Sequence, residues 1–119
     1  MQDVFICSSS GGDVRRMSVA SNGDTNGDSP ISQGERIGIS YDGKWITYNT
    51  NADNLGALKG NIVLQNTVTG EIQAISKTTS GSTARPLVSR TGGYVIAGCS
   101  DKYDPRFSSS GLFVFYTGH

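Results

Sequence analysis

The chain repeats itself at two offsets, and no other feature restricts its possible folds as much. Residues 3–18 read DVFICSSSGGDVRRMS and residues 61–76 read NIVLQNTVTGEIQAIS; they align without a gap at an offset of 58. Asp3 faces Asn61, Val4 faces Ile62, Ile6 faces Leu64, Gly12 faces Gly70, Val14 faces Ile72, Met17 faces Ile75 and Ser18 faces Ser76. A second unit, RIGISYDGKWITYN over 36–49, returns 49 residues later as PLVSRTGGYVIAGCS over 86–100. There Ser40 matches Ser89, Gly43 matches Gly92 and Trp45 matches Tyr94. A partial copy, GLFVFYTG from Gly111 to Gly118, resembles the first strand of the 3–18 unit.

Each unit reads as a hairpin. Apolar and polar residues alternate with the period of a half-buried strand, and a glycine-bearing turn separates the two runs. Composition agrees. Val, Ile and Thr number 27, against 23 for Leu, Ala, Glu, Lys, Met and Gln together. Branching at Cβ stiffens a side chain and suits a pleated surface. Gly, Ser, Thr and Asn make up 49 of 119 residues, and much of this excess falls in the predicted turns and loops. Helical bundles and coiled coils are excluded. A membrane-spanning helix is excluded too, because no apolar run approaches 18 residues.

Labelling the strands of one full repeat a to d, the chain runs c, d, then a, b, c, d, then a, b, c. Loops over 50–60 and 101–110 join each b to c. Self-similarity near 50 residues with four strands per period is the pattern of β-propeller blades. The segment SYDGKWITYNTNADN from Ser40 to Asn54, followed by an apolar strand and TVTGEIQAIS, resembles the blade of TolB-like (WD40-like) β-propellers. Asp42-Gly43 and Thr69-Gly70 fill that blade's acidic-Gly and Thr-Gly turns. The second copy departs from it: Thr91-Gly92-Gly93 replaces the acidic-Gly turn, and the Thr-Gly turn appears only as Thr117-Gly118. The resemblance implies an all-β fold of about two four-stranded antiparallel blades in a single domain, 1–119. Residues 1–19 would form strands c–d of a first blade, 30–77 a full blade and 84–118 strands a–b–c of a further blade.

Propellers need 4 to 8 blades, so about two blades leave a sheet face uncovered at each end of the stack. Three solutions are open. The chain is a piece of a longer propeller, an open or dimeric sheet assembly, or a subunit of a closed homo-oligomer such as a trimeric six-bladed ring.

Charge narrows the partners. Ten basic and ten acidic residues cancel, which removes the electrostatic drive towards nucleic acid and lowers the barrier to self-association. The longest basic run, Arg15-Arg16, is read as a solvated strand. Cys7 and Cys99 fit neither a disulfide framework nor a zinc pattern; both lie in apolar strands and are expected to be buried thiols. No signal peptide is visible, so a cytoplasmic location is expected unless the chain is a processed fragment.

Two polar clusters are candidate sites. In SNGDTNGDS, residues 21–29, Asp24, Asn26 and Asp28 have the alternate oxygen spacing of calcium loops. The bidentate glutamate of such loops has no secure counterpart; Glu35, seven residues past Asp28, starts a strand. The same composition describes an ordinary Asn/Asp/Gly connection. The b–c loops bring Asn51 and Asp53 in one copy and Asp101, Tyr103, Asp104 and Arg106 in the other, a set able to stack on and hydrogen-bond a sugar or small polar ligand. Trp45 and Tyr94 are expected to pack between blades, and Phe5, Phe113 and Phe115 in the core. Catalytic signals are weak. No serine sits in a G-x-S-x-G elbow, and His119 is the sole histidine. The expected function is a non-catalytic binding or scaffolding module that assembles with its own copies, as a dimer or trimer. The alternatives are a small-ligand binder on the loop face and a hydrolase whose site is built across subunits.

Overall fold

A computed structural model describes residues 2–20, 23, 25–30, 36–57, 60–76, 84–99 and 111–119, leaving aside the side chains of residues 84, 85 and 99. Among these residues the fold is all-β, with no helix. The strands are β1 (Phe5–Ile6), β2 (Arg15–Arg16), β3 (Gly38–Ile39), β4 (Trp45–Thr50), β5 (Asn61–Asn66), β6 (Ile72–Ala74), β7 (Ala84–Val88), β8 (Tyr94–Cys99) and β9 (Gly111–Tyr116). They form three antiparallel sheets: β1-β2, β3-β4-β5-β6 and β7-β8-β9, called here the first, middle and last sheets.

The two sequence offsets reappear as two sets of hydrogen bonds. At offset 58, the Val4 amide donates to Ser18 Oγ (3.0 Å) and the Ser18 hydroxyl donates to Asp3 Oδ1 (2.8 Å). The Ile62 amide likewise donates to Ser76 Oγ (2.9 Å), whose hydroxyl donates to Asn61 Oδ1 (2.7 Å). At offset 49, Ser40 and Ser89 close equivalent turns. The Gly43 amide donates to Ser40 O (3.0 Å) and the Gly92 amide to Ser89 O (3.1 Å). The Trp45 and Tyr94 amides donate to Ser40 Oγ and Ser89 Oγ, both at 3.0 Å. Gly43 and Gly92 hold φ of 71° and 83°, a region that disfavours any residue with a Cβ. The Arg90 guanidinium lies 4.3 Å from the Tyr41 ring centroid, joining the two turns.

The register of β9 corrects one equivalence. The Thr67 amide donates to Lys44 O (2.8 Å) and its hydroxyl to Gly43 O (2.6 Å). Thr117 does the same to Gly93 O (3.0 Å) and Gly92 O. Thr117 therefore stands in the place of Thr67, not of Thr69, because it closes the c strand two residues ahead of the Thr-Gly turn. Asn66 opposite Trp45 and Tyr116 opposite Tyr94 give the same offset of 50.

The middle sheet is buried on both faces. Opposed residues of an antiparallel pair share a face, so Ile46, Tyr48 and Val63 point one way while Trp45, Thr47, Ile62 and Leu64 point the other. The first group packs with Val4, Met17 and Ala20 of the first sheet region and with Ala52, Leu55 and Ala57 of the loop after β4. In the second direction Ile62, Leu64 and Ile75 pack with Val95, Ala97 and Phe115 of the last sheet, with Trp45, Val88 and Phe113 at its border. Phe113 and Phe115 thus face the core, as expected.

Three expectations are overturned. Phe5 is 60% exposed and Cys7 is exposed, because both point away from the middle sheet and no described element covers that side. Tyr94 is half-exposed, since no described element covers its side of the last sheet either. Its equivalent Trp45 does pack between sheets: a Cβ on Gly92 would lie 2.5 Å from the indole.

Candidate functional site

The described members of the two polar clusters, Asn26 and Asp28 of one and Asn51 and Asp53 of the other, are brought into one place. Asn26 and Asp53 bond reciprocally: the Asn26 side-chain amide donates to Asp53 Oδ1, and the Asp53 backbone amide donates to Asn26 Oδ1 at 3.0 Å. Asn54 Oδ1 accepts from the Asn26 amide (3.2 Å), and Asp28 O accepts from the Asn51 amide (2.8 Å). Asp28 Oδ1 accepts from the Gln2 amide (2.6 Å). Gly27 sits so close that a Cβ there would be 2.5 Å from Asn51 O. These side chains staple the segment before β3 onto the loop after β4. Asp24, Asp101, Tyr103, Asp104 and Arg106 lie outside the described residues, as does the side chain of Cys99. Among the described residues, no three of His, Cys, Asp and Glu cluster in a way that would hold a metal.

A cleft of about 330 Å³ opens between the middle and last sheets, lined by Trp45, Leu64, Glu71, Ile72, Gln73, Thr117 and His119. The His119 ring stacks on Trp45 with centroids 4.2 Å apart, and His119 Nε2 lies 2.8 Å from Gln73 Oε1. Gln73 Nε2 donates to Thr117 O at 2.9 Å. Polar groups here pair with one another and tie β6 to the end of β9.

A second feature of the described surface is apolar. Strand pairing places Tyr94, Ile96, Leu112, Val114 and Tyr116 on one face of the last sheet, with Leu87 opposite Ile96, and all of them are exposed. Tyr94 and Tyr116 lean together, ring centroids 5.5 Å apart. The middle sheet shows what such a face requires. At offset 50, Leu112 matches Ile62 and Val114 matches Leu64; the first residues of these pairs are 75% and 63% exposed, the second fully buried. Equivalent strand positions thus differ in their cover: β5 lies inside its sheet with the last sheet packed over it, whereas β9 is an edge strand with no described sheet over its outer face. The sequence carried a signal for this face. GLFVFY has no polar alternation, and a strand apolar on both faces is built to be covered on both. Phe113 and Phe115 are the half of that signal that points to the core, and Leu112, Val114 and Tyr116 are the half that points outward.

The fold and this surface together define a class: an all-β protein of three stacked antiparallel sheets that repeat one hydrogen-bonding plan. No family model, curated protein or solved structure matches the chain.

Proposed function

We propose that the chain is a non-catalytic scaffolding module of propeller-like, TolB-like sheets that assembles with copies of itself. The uncovered face of the last sheet carries this reading. Tyr94, Ile96, Leu112, Val114 and Tyr116 form a contiguous apolar surface, and such surfaces mark interaction sites. Tyr is enriched at interface centres, and a net charge of zero opposes association little.

Light scattering after gel filtration tests the reading. The wild-type chain is expected to run as an oligomer that dissociates on dilution. Val114→Glu, which places a charge on the face without touching the core, is expected to run as a monomer with an unchanged fold. A wild-type chain of monomer mass at every concentration would end the proposal.

A further inference from the structure

The stack has a direction. In chain order each sheet has a following side and, opposite to it, a preceding side. Both internal contacts join these unlike sides. The following side of the first sheet, with Val4 and Met17, meets the preceding side of the middle sheet, with Ile46, Tyr48 and Val63. The following side of the middle sheet, with Ile62 and Leu64, meets the preceding side of the last sheet, with Val95 and Phe115. Among the described residues one side of each kind is left over, the following side of the last sheet and the preceding side of the first.

The preceding side of the first sheet is also matched, position by position, to a buried one. At offset 58, Phe5 takes the place of Val63 and Val14 that of Ile72. Val63 is fully buried and Ile72 packs against the same cluster, whereas Phe5 and Val14 are 60% and 64% exposed. The guanidinium beside Phe5 is balanced: Arg16 Nη1 lies 3.8 Å from Asp3 Oδ2. Both open sides therefore expose apolar side chains, the first with the Arg16–Asp3 ion pair beside them, and they belong to a pair of surfaces that this chain already joins twice.

We infer that copies of the chain join head to tail, the face bearing Leu112, Val114 and Tyr116 in one copy seating on the face bearing Phe5 and Val14 in the next. This rests on the proposed self-association and specifies its geometry. The contact is heterologous, so each copy keeps one open face of each kind until a ring closes or a filament grows. A symmetrical contact would join two following sides, an arrangement found at neither internal interface.

Two variants separate the geometries. Phe5→Glu blocks the first sheet's open side and Val114→Glu the last sheet's; both residues are exposed, so both chains are expected to fold, as circular dichroism would verify. Each variant alone is expected at monomer mass in light scattering. An equimolar mixture is expected to give a two-chain complex and nothing larger, because only one productive pair of faces remains. Phe5→Glu retaining wild-type mass would overturn the head-to-tail contact while leaving self-association standing. A mixture that stays monomeric would overturn it as well. A monomeric wild-type chain would overturn both.

Discussion

Two side chains illustrate how polar groups are accommodated here. Tyr48 is fully buried, and its hydroxyl donates to Gln65 Oε1 at 3.0 Å. Gln65 Nε2 in turn donates to Met17 O (2.8 Å) and Gly70 O (3.1 Å), which ties the first sheet to the middle one. Burial, with the Asp3 charge adding to it, pushes the phenol well above the usual tyrosine range. The fold therefore favours the neutral phenol: this contribution is complete below the unfolded-state pKa and is lost as pH rises beyond it. Tyr48 is expected to ionise only as the protein unfolds in alkali, seen as a tyrosinate absorbance step that coincides with loss of near-ultraviolet dichroism. Tyr48→Phe would remove that step and cost about 1–2 kcal/mol in urea denaturation, since it strands a buried amide oxygen. Asp42 behaves oppositely. Its carboxylate accepts from the Ser40 hydroxyl (2.7 Å) and the Lys44 amide (3.1 Å), and these bonds hold its pKa below the ordinary value, the hydroxyl contributing most. The turn is thus fully stabilised above the ordinary aspartate pKa and weakens as pH falls through the depressed one. Carboxyl NMR is expected to show the Asp42 titration moving upward in Ser40→Ala.

At the scale of the element, the repeat supplies its own control. Gly43 and Gly92 occupy the same place in equivalent turns with similar positive φ. A Cβ added at Gly43 would meet nothing within 4 Å, whereas one added at Gly92 would lie 2.5 Å from the Trp45 indole. Gly43→Ala is expected to cost about 1 kcal/mol for backbone strain alone. Gly92→Ala adds overpacking against Trp45, for roughly 2–4 kcal/mol in all. The difference between the two midpoints in chemical denaturation measures how tightly the middle and last sheets are clamped. Equal losses would mean that Trp45 yields without cost.

The whole molecule is a stack whose centre is satisfied and whose ends are not. The middle sheet has neighbours on both sides, and its side chains at repeat-equivalent positions are buried; the same positions at the ends are exposed. If copies cover those ends, melting becomes concentration-dependent, because association favours the folded chain by mass action. In Val114→Glu this dependence is expected to vanish together with the oligomer.

The strands and their turns were legible in the sequence because the information is local. Period-two alternation and a glycine turn recur at 49 and 58 residues, with a serine before the turn and an aromatic after it at 49 and a serine closing the unit at 58, and the hydrogen bonds of Ser40 and Ser89, Ser18 and Ser76 follow from those residues directly. The staple between Asn26 and Asp53 was not legible, since it joins residues far apart in the chain and each, taken alone, reads as loop composition. Burial was only half legible. A strand's alternation says which residues share a face, but it does not say whether anything lies against that face. Phe5 and Cys7 therefore read as core and stand exposed, while Tyr48 and Gln65 are sealed inside. The chain's own residues determine strands, turns and shared faces. Which of those faces are shielded from water is decided only when the sheets stack, because burial depends on neighbours that the local sequence does not contain.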